Sequence, residues 1–161
     1  SYGTIAYATA NPTTFINRND KNFDWYYTGS EVIDNTRWTT SESSKSIYDP
    51  CPSGWRVPDS DSNGVWAKAL GSSLGYAFDS TNVGINFSGI FGSDQPIWYP
   101  ASGYRYNNDG SLRNVGKFGV YWSASPSKTL AYTLAFFDNG FLVTSFNFDR
   151  ATAYSVRCLQ E

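Results

Sequence analysis

Residues 119–159, GVYWSASPSKTLAYTLAFFDNGFLVTSFNFDRATAYSVRCL, are the stretch on which the rest of the chain turns. From Thr129 to Phe137 the residues alternate, so Leu130, Tyr132, Leu134 and Phe136 share one strand face and Ala131, Thr133, Ala135 and Phe137 the other. The first set is expected inward. Asp138-Asn139-Gly140 is a turn signal, and Phe141 to Phe148 reads as the returning strand. Upstream, Val120–Trp122 reads as a short strand and Ser123–Lys128 as a polar loop. Downstream, Tyr154 to Leu159 reads as a closing strand with Tyr154, Val156 and Cys158 on one face.

The hairpin leaves two registers open. A two-residue turn at Asn139-Gly140 sets Phe137 opposite Leu142 and puts Phe146 and Phe148 on Phe137's outward face, an exposed aromatic stripe suited to binding. A three-residue loop flips the parity and turns Phe146 and Phe148 into the core.

Working outward, 161 residues suit one domain able to bury a core, 1–161, with 1–20 as an N-terminal lead or edge strand and 119–159 as the display region. An aromatic share of 18% against 16% charged is globular. Abundant Gly, Ser, Asn, Thr and Tyr favour short strands and long ordered loops over helices. A net charge of −2 with no basic run excludes a nucleic-acid partner on electrostatic grounds. No membrane insertion is expected. With no signal peptide, membrane span or initiator Met visible, the chain reads as a mature or trimmed extracellular piece.

Cys51 and Cys158 are the only cysteines. They are either two unrelated buried thiols or a bridge closing a loop of roughly 100 residues, worth up to about 4.7 kcal/mol in the chain-entropy model. Cys51 sits in Tyr48-Asp49-Pro50-Cys51-Pro52-Ser53-Gly54-Trp55-Arg56-Val57-Pro58, where the flanking prolines enforce a stiff extended segment. Asp59 to Asn63 can cap a helix beginning near Gly64, with Val65, Trp66, Ala69 and Leu70 on one face and Gly71 at its end. Asp59, Asp61, Asn63 and Gly64 also match the first half of a calcium loop, but Leu70 stands where the bidentate Glu belongs, so capping is the stronger reading. Trp25, Tyr26, Tyr27 and Trp38 either line a core under loops or form a ligand platform. Residues 71–115 read as a long irregular excursion pinned by apolar anchors, with a hairpin turn at Asn108-Asp109-Gly110.

In order along the chain, YDPCPSGWRVP, PASGYR, GVYWSAS, AYTLAF and SVRCL resemble the C-type-lectin-like domain of bacterial surface and fimbrillin-associated proteins, the family also called the major paralogous domain. The resemblance runs from about Asn11 to the C-terminus. It implies an α+β fold with one or two helices, a small twisted antiparallel sheet, long ordered loops and a Cys51–Cys158 bridge. The C-terminal pattern is also similar to the variable region of proteins diversified by retroelements. On that likeness Trp122, Tyr132, Leu134, Phe136, Arg150, Val156 and Arg157 match fixed framework positions. Ser125, Ser127, Thr133, Ala135, Phe137, Asp138, Phe141, Phe146 and Phe148 are the candidate variable, ligand-facing ones. Ala153 departs from a glycine often found before SVR, which concerns the local turn. The paired carboxylate and amide motifs of calcium-dependent sugar-binding lectins are missing, and fold alone licenses no sugar ligand.

These readings lead to an extracellular binding or adhesion module for a protein or glycan on a host, microbial or phage surface. The alternative is a structural pilus or stalk component that binds only its own assembly through an N-terminal docking strand. No cofactor is expected, and catalysis is not. Formylglycine-generating enzymes share the broad fold but need reactive thiols, there is no histidine, and no carboxylate pair stands in a motif.

Overall fold

The structure, a computed structural model, describes residues 3–27, 29, 33–38, 45–60, 64–70, 77–88 and 94–160. The N-terminal lead is not an edge strand. Residues Ile5–Ala10 form a helix, α1, because Thr4 accepts the Tyr7 N–H on its hydroxyl at 3.1 Å, three alanines favour the helix and Asn11 closes it on the Tyr7 carbonyl before Pro12. Its place in the fold is held by a parallel bridge between Gly3 and Tyr26.

Among the described residues strand outweighs helix by 35% to 8%, which overturns the α+β expectation: they are mostly β, in four small antiparallel sheets rather than one. β1 (Trp55–Arg56) pairs with β10 (Leu159–Gln160). β2 (Phe78–Asp79), β3 (Gly84–Asn86) and β4 (Trp98–Pro100) make a second sheet, and β5 (Tyr104–Arg105) with β6 (Leu112–Arg113) a third. β7 (Phe118–Ser127), β8 (Leu130–Phe137) and β9 (Leu142–Asp149) form the largest, in the order β7-β8-β9. The physical reason for the correction is local: among the described residues the helices α1 and α2 (Val65–Leu70) are each only six residues long. α2 lies where the capping reading placed it. Of the calcium-loop residues, Asp61 and Asn63 fall outside the described residues, and Asp59 pairs with Arg56 at 3.3 Å.

The central strand β8 is covered on both faces. On its even face Leu134 and Phe136 join Trp66 of α2, Ile85, Phe87, Tyr99 and Tyr121 in the main core. Phe87 meets Tyr99 edge-on at 5.0 Å, and Tyr121 donates its hydroxyl to the Pro100 carbonyl at 2.7 Å. Leu130 and Tyr132, at the far end of that face, are only half-buried. On the odd face Ala135 joins Phe118 and Val120 in a second core walled by Tyr104, Phe137, Phe148 and Tyr154.

β7 reaches five residues beyond the strand expected at Val120–Trp122 and takes in most of the segment read as a polar loop. Its serines can be buried because each finds a partner. Ser123 donates to the Tyr132 carbonyl at 2.8 Å, and the Ser125 hydroxyl accepts the Ser60 N–H at 3.1 Å. Val156, expected inward, is 36% exposed, because after the Tyr121–Ser155 bridge the chain runs beside β7 without entering the sheet.

The Cys51–Cys158 bridge is formed, with Cα atoms 5.7 Å apart, and packs on Val57, Ala124 and Trp38. Besides the prolines, Asp49 shapes this loop: one carboxylate oxygen accepts the Cys51 N–H at 2.8 Å and the other the Val57 N–H at 3.1 Å. Among the described residues no helix is long and apolar enough to cross a membrane. A disulfide together with that observation is compatible with an extracellular protein.

Candidate functional site

The β8–β9 hairpin combines the two registers that the sequence leaves open. Near the turn Phe136 pairs with Leu142 and Ala135 with Val143, and the Phe137 N–H donates to the Phe141 carbonyl at 2.8 Å, the parity of a three-residue loop. Gly140 supplies the turn's left-handed φ of 83°. Between Thr133 and Ala135 the register shifts, and beyond it Thr133 pairs with Phe146 and Ala131 with Phe148, the parity of the two-residue turn. The extra residue falls on β9, a β-bulge. Ser60 serves this irregularity. Its hydroxyl lies against the Thr144 carbonyl and 3.2 Å from that of Thr133.

The bulge decides where the phenylalanines go. Phe146 and Phe148 end on the same face as Phe137, and the rings form a continuous array across the sheet. Phe118 stacks on Phe137 at 4.2 Å, Phe137 meets Phe141 at 5.7 Å, Phe118 meets Phe148 at 6.3 Å, and Phe148 meets Phe146 at 4.8 Å. Tyr104 and Tyr154 cover the β7 side, with Tyr154 5.0 Å from Phe148. That cover stops there. Phe141 is 51% exposed and Phe146 40%, so the array surfaces at both ends. Burial pushes the Tyr154 phenol above its ordinary range, so it stays a neutral wall.

The nine expected ligand-facing residues therefore divide. Phe141, Phe146 and Asp138 are exposed, and Phe137 and Phe148 are half-buried along the same strip; Ser127 is half-buried on the opposite face, paired with Leu130 and accepting the Asn147 amide at 3.1 Å. Ser125, Thr133 and Ala135 are buried and do not face solvent on this strip. Ser125 is taken up by Ser60, Thr133 donates to the Phe146 carbonyl at 3.0 Å, and Ala135 lies under the second core. Alternation along β8 correctly separates its faces, but it cannot tell that the odd one is also roofed.

Arg150, expected as a framework position, is the clamp at the β9 end. It donates to the carbonyls of Leu130, Lys128 and Asp34 and to the Asn35 amide oxygen. Burial lowers its pKa against the opposing pull of Asp24. Arg157 donates to the Trp98 carbonyl at 2.8 Å and lies over the Tyr99 ring, tying the closing segment to β4.

The sequence reading overlooks a cavity of about 540 Å³ beside the bulged end of β7, where Trp25, Trp38 and Trp122 come together from distant segments. The unusual tryptophan and tyrosine density of residues 22–38 is the one signal that points to it. Compared with known proteins, the chain matches no family model, no curated protein and no solved structure.

Proposed function

We propose that the chain is an extracellular ligand-binding module that adheres to a protein or glycan on a host, microbial or phage surface through the β8–β9 strip. The observation that carries this reading is the aromatic array. Two phenylalanines that a folded chain would gain by burying are held half in water, at fixed spacing, by rings beneath them that are themselves packed. Rigid aromatic area flanked by the exposed Asp138, Asn139 and Ser145 supplies contact surface and adaptable hydrogen bonds together, the combination that antibody paratopes use.

The division into framework and outward residues supports the likeness to retroelement-diversified proteins. Leu134, Phe136, Arg150 and Arg157 hold the scaffold, whereas exchanging Phe141, Phe146, Asp138 or Ser127 would alter the surface and leave the cores intact. The strip presents rings rather than a nucleophile with a base, so binding is proposed and catalysis is not. The alternative of a self-assembling pilus subunit relied on an N-terminal docking strand, and the segment that was to supply it is helical.

The test is a screen of the wild-type domain against glycan and surface-protein arrays, with Phe141→Ala/Phe146→Ala alongside. Capture by the wild type that the double variant loses, with the melting temperature nearly kept, supports the reading. Equal capture by both refutes it.

A further inference from the structure

The cavity beside β7 is separate from the aromatic strip: none of Phe137, Phe141, Phe146 and Phe148 lines it. Its volume of about 540 Å³ lies inside the range of small-molecule sites. Its walls come from α1, the segment around Phe15, the Trp25 and Trp38 regions, the end of β7 and the turn after Arg150.

The charges in the walls select against an ionic ligand. Asp24, Asp34, Arg37 and Arg150 line the cavity, and their formal charges cancel. Three of the four are also committed. Asp34 accepts from Thr36 and lies 3.5 Å from the Arg37 guanidinium, and Arg150 is bound to backbone carbonyls and Asn35. An anion meets no free cation, and the one carboxylate not in an ion pair, Asp24, already lies in the field of Arg150 and Arg37, so a cation gains little from it.

Two polar groups in the walls can take a further partner. Asp24 is 7% exposed, and its carboxylate accepts a long hydrogen bond from the Tyr26 N–H at 3.4 Å and is steadied by the Trp25 N–H, which leaves lone pairs for a further donor. Burial raises its pKa, against the pull of the Tyr26 N–H, Arg150 and Arg37, so its charge is held at a cost that a hydroxyl donor would relieve. Trp122 is likewise 7% exposed, with its ring against Tyr154 at 4.7 Å and no acceptor for its indole N–H among the described residues. A carboxylate with lone pairs to spare and an indole N–H that donates to none of the described residues, set among indole rings, suit a neutral ligand that donates, accepts and has an apolar face.

We propose that this cavity binds one ring of a neutral hydroxyl-rich ligand, a hexopyranose unit, with the Asp24 carboxylate accepting from its hydroxyls and the Trp122 indole N–H donating to one of its oxygens. Trp25 and Trp38 supply apolar walls for the ring's C–H face. The site stands apart from the strip and does not depend on it.

The test titrates the whole domain, ¹⁵N-labelled, with the methyl glycosides of glucose, galactose, mannose and N-acetylglucosamine, following the indole N–H resonances. Choline and N-acetylneuraminate serve as charged controls. At least one neutral glycoside should move the Trp122 resonance saturably, with a Kd on the order of 1 mM for so small a ligand. Asp24→Asn keeps an oxygen for the Tyr26 N–H, and Trp122→Phe keeps a ring while removing the N–H. Each should weaken binding by about tenfold or more. Phe146→Ala should leave it unchanged, which separates this site from the strip. The proposal is overturned if no glycoside moves the Trp122 resonance at a hundredfold excess over that Kd. It is equally overturned if only choline or N-acetylneuraminate binds, or if affinity survives Asp24→Asn. Should Trp122→Phe fail to fold, the wild-type resonance and the Asp24→Asn titration decide the matter.

Discussion

Gly119 faces Phe136 across the β7–β8 pair, and a Cβ built on Gly119 would overlap three atoms of the Phe136 ring. That ring is wholly buried and hemmed in by Phe78, Phe87 and Tyr121, so it cannot swing aside. Gly119→Ala therefore overpacks the core, at a cost of about 3 kcal/mol, the upper end for such insertions. For a chain of this size that is roughly 6–12 °C of melting temperature. Phe136→Leu alone leaves a partial void and costs about 2 kcal/mol, less than truncation to alanine. If the clash is the cause, the two changes relieve each other, and the double variant should be more stable than the sum of the single losses by about 1 kcal/mol or more. Urea denaturation of the four proteins measures this coupling. Losses that add to within about 0.3–0.5 kcal/mol would show that Gly119 is required for some reason other than the ring.

Other perturbations separate the remaining parts of the account. Replacing Cys51 and Cys158 by serine opens the loop between positions 107 apart and should cost up to about 4.7 kcal/mol, roughly 10–20 °C, by calorimetry; a loss under about 2 °C would contradict it. Ser60→Ala strips the donor from the β9 bulge and should cost about 1–3 kcal/mol in chemical denaturation, and an unchanged midpoint would show the plug to be dispensable. Phe141→Ala and Phe146→Ala, at side chains 51% and 40% exposed, should each cost about 1 kcal/mol, against about 3–5 kcal/mol for Phe136→Ala; comparable losses would place all three in the core. Asp24 has a folded-state pKa raised above 3.8, so the stability it confers is full below that value and lost as pH rises through the folded pKa. Asp24→Asn should thus melt higher than wild type at pH 7 and converge with it in acid; a lower melting temperature at pH 7 would mean that attraction to Arg37 and Arg150 outweighs burial.

Much of the hairpin was legible from residue spacing. The alternation of Leu134 and Phe136 against Thr133 and Ala135, the Asp138-Asn139-Gly140 turn and the helix at Val65 all follow from local pattern. What escaped are features set by distant partners. Ser123 and Ser125 read as loop residues because their partners, Tyr132 and Ser60, supply no local signal. The register could not be settled because a bulge places both parities in one hairpin, and its plug comes from Ser60, far upstream. α1 was hidden by the apolar character of Ile5 and Tyr7, although Thr4 and Asn11 sit where a short helix is capped. The α+β class follows from the resemblance and underestimates strand, because the short pairings of β1 with β10 and of β5 with β6 join segments whose two-residue runs carry no alternation to read. The cavity is assembled from segments that share no motif, and the tryptophans and tyrosines of residues 22–38 are its sole trace.

The central claim is that the exposed end of the β8–β9 hairpin meets the partner, and hydrogen exchange of the domain with and without a captured array ligand tests it most directly. Protection is expected to concentrate at Asp138–Phe141 and Ser145–Phe148. Protection that leaves those amides untouched and appears instead on the β5–β6 hairpin or α1 would contradict it.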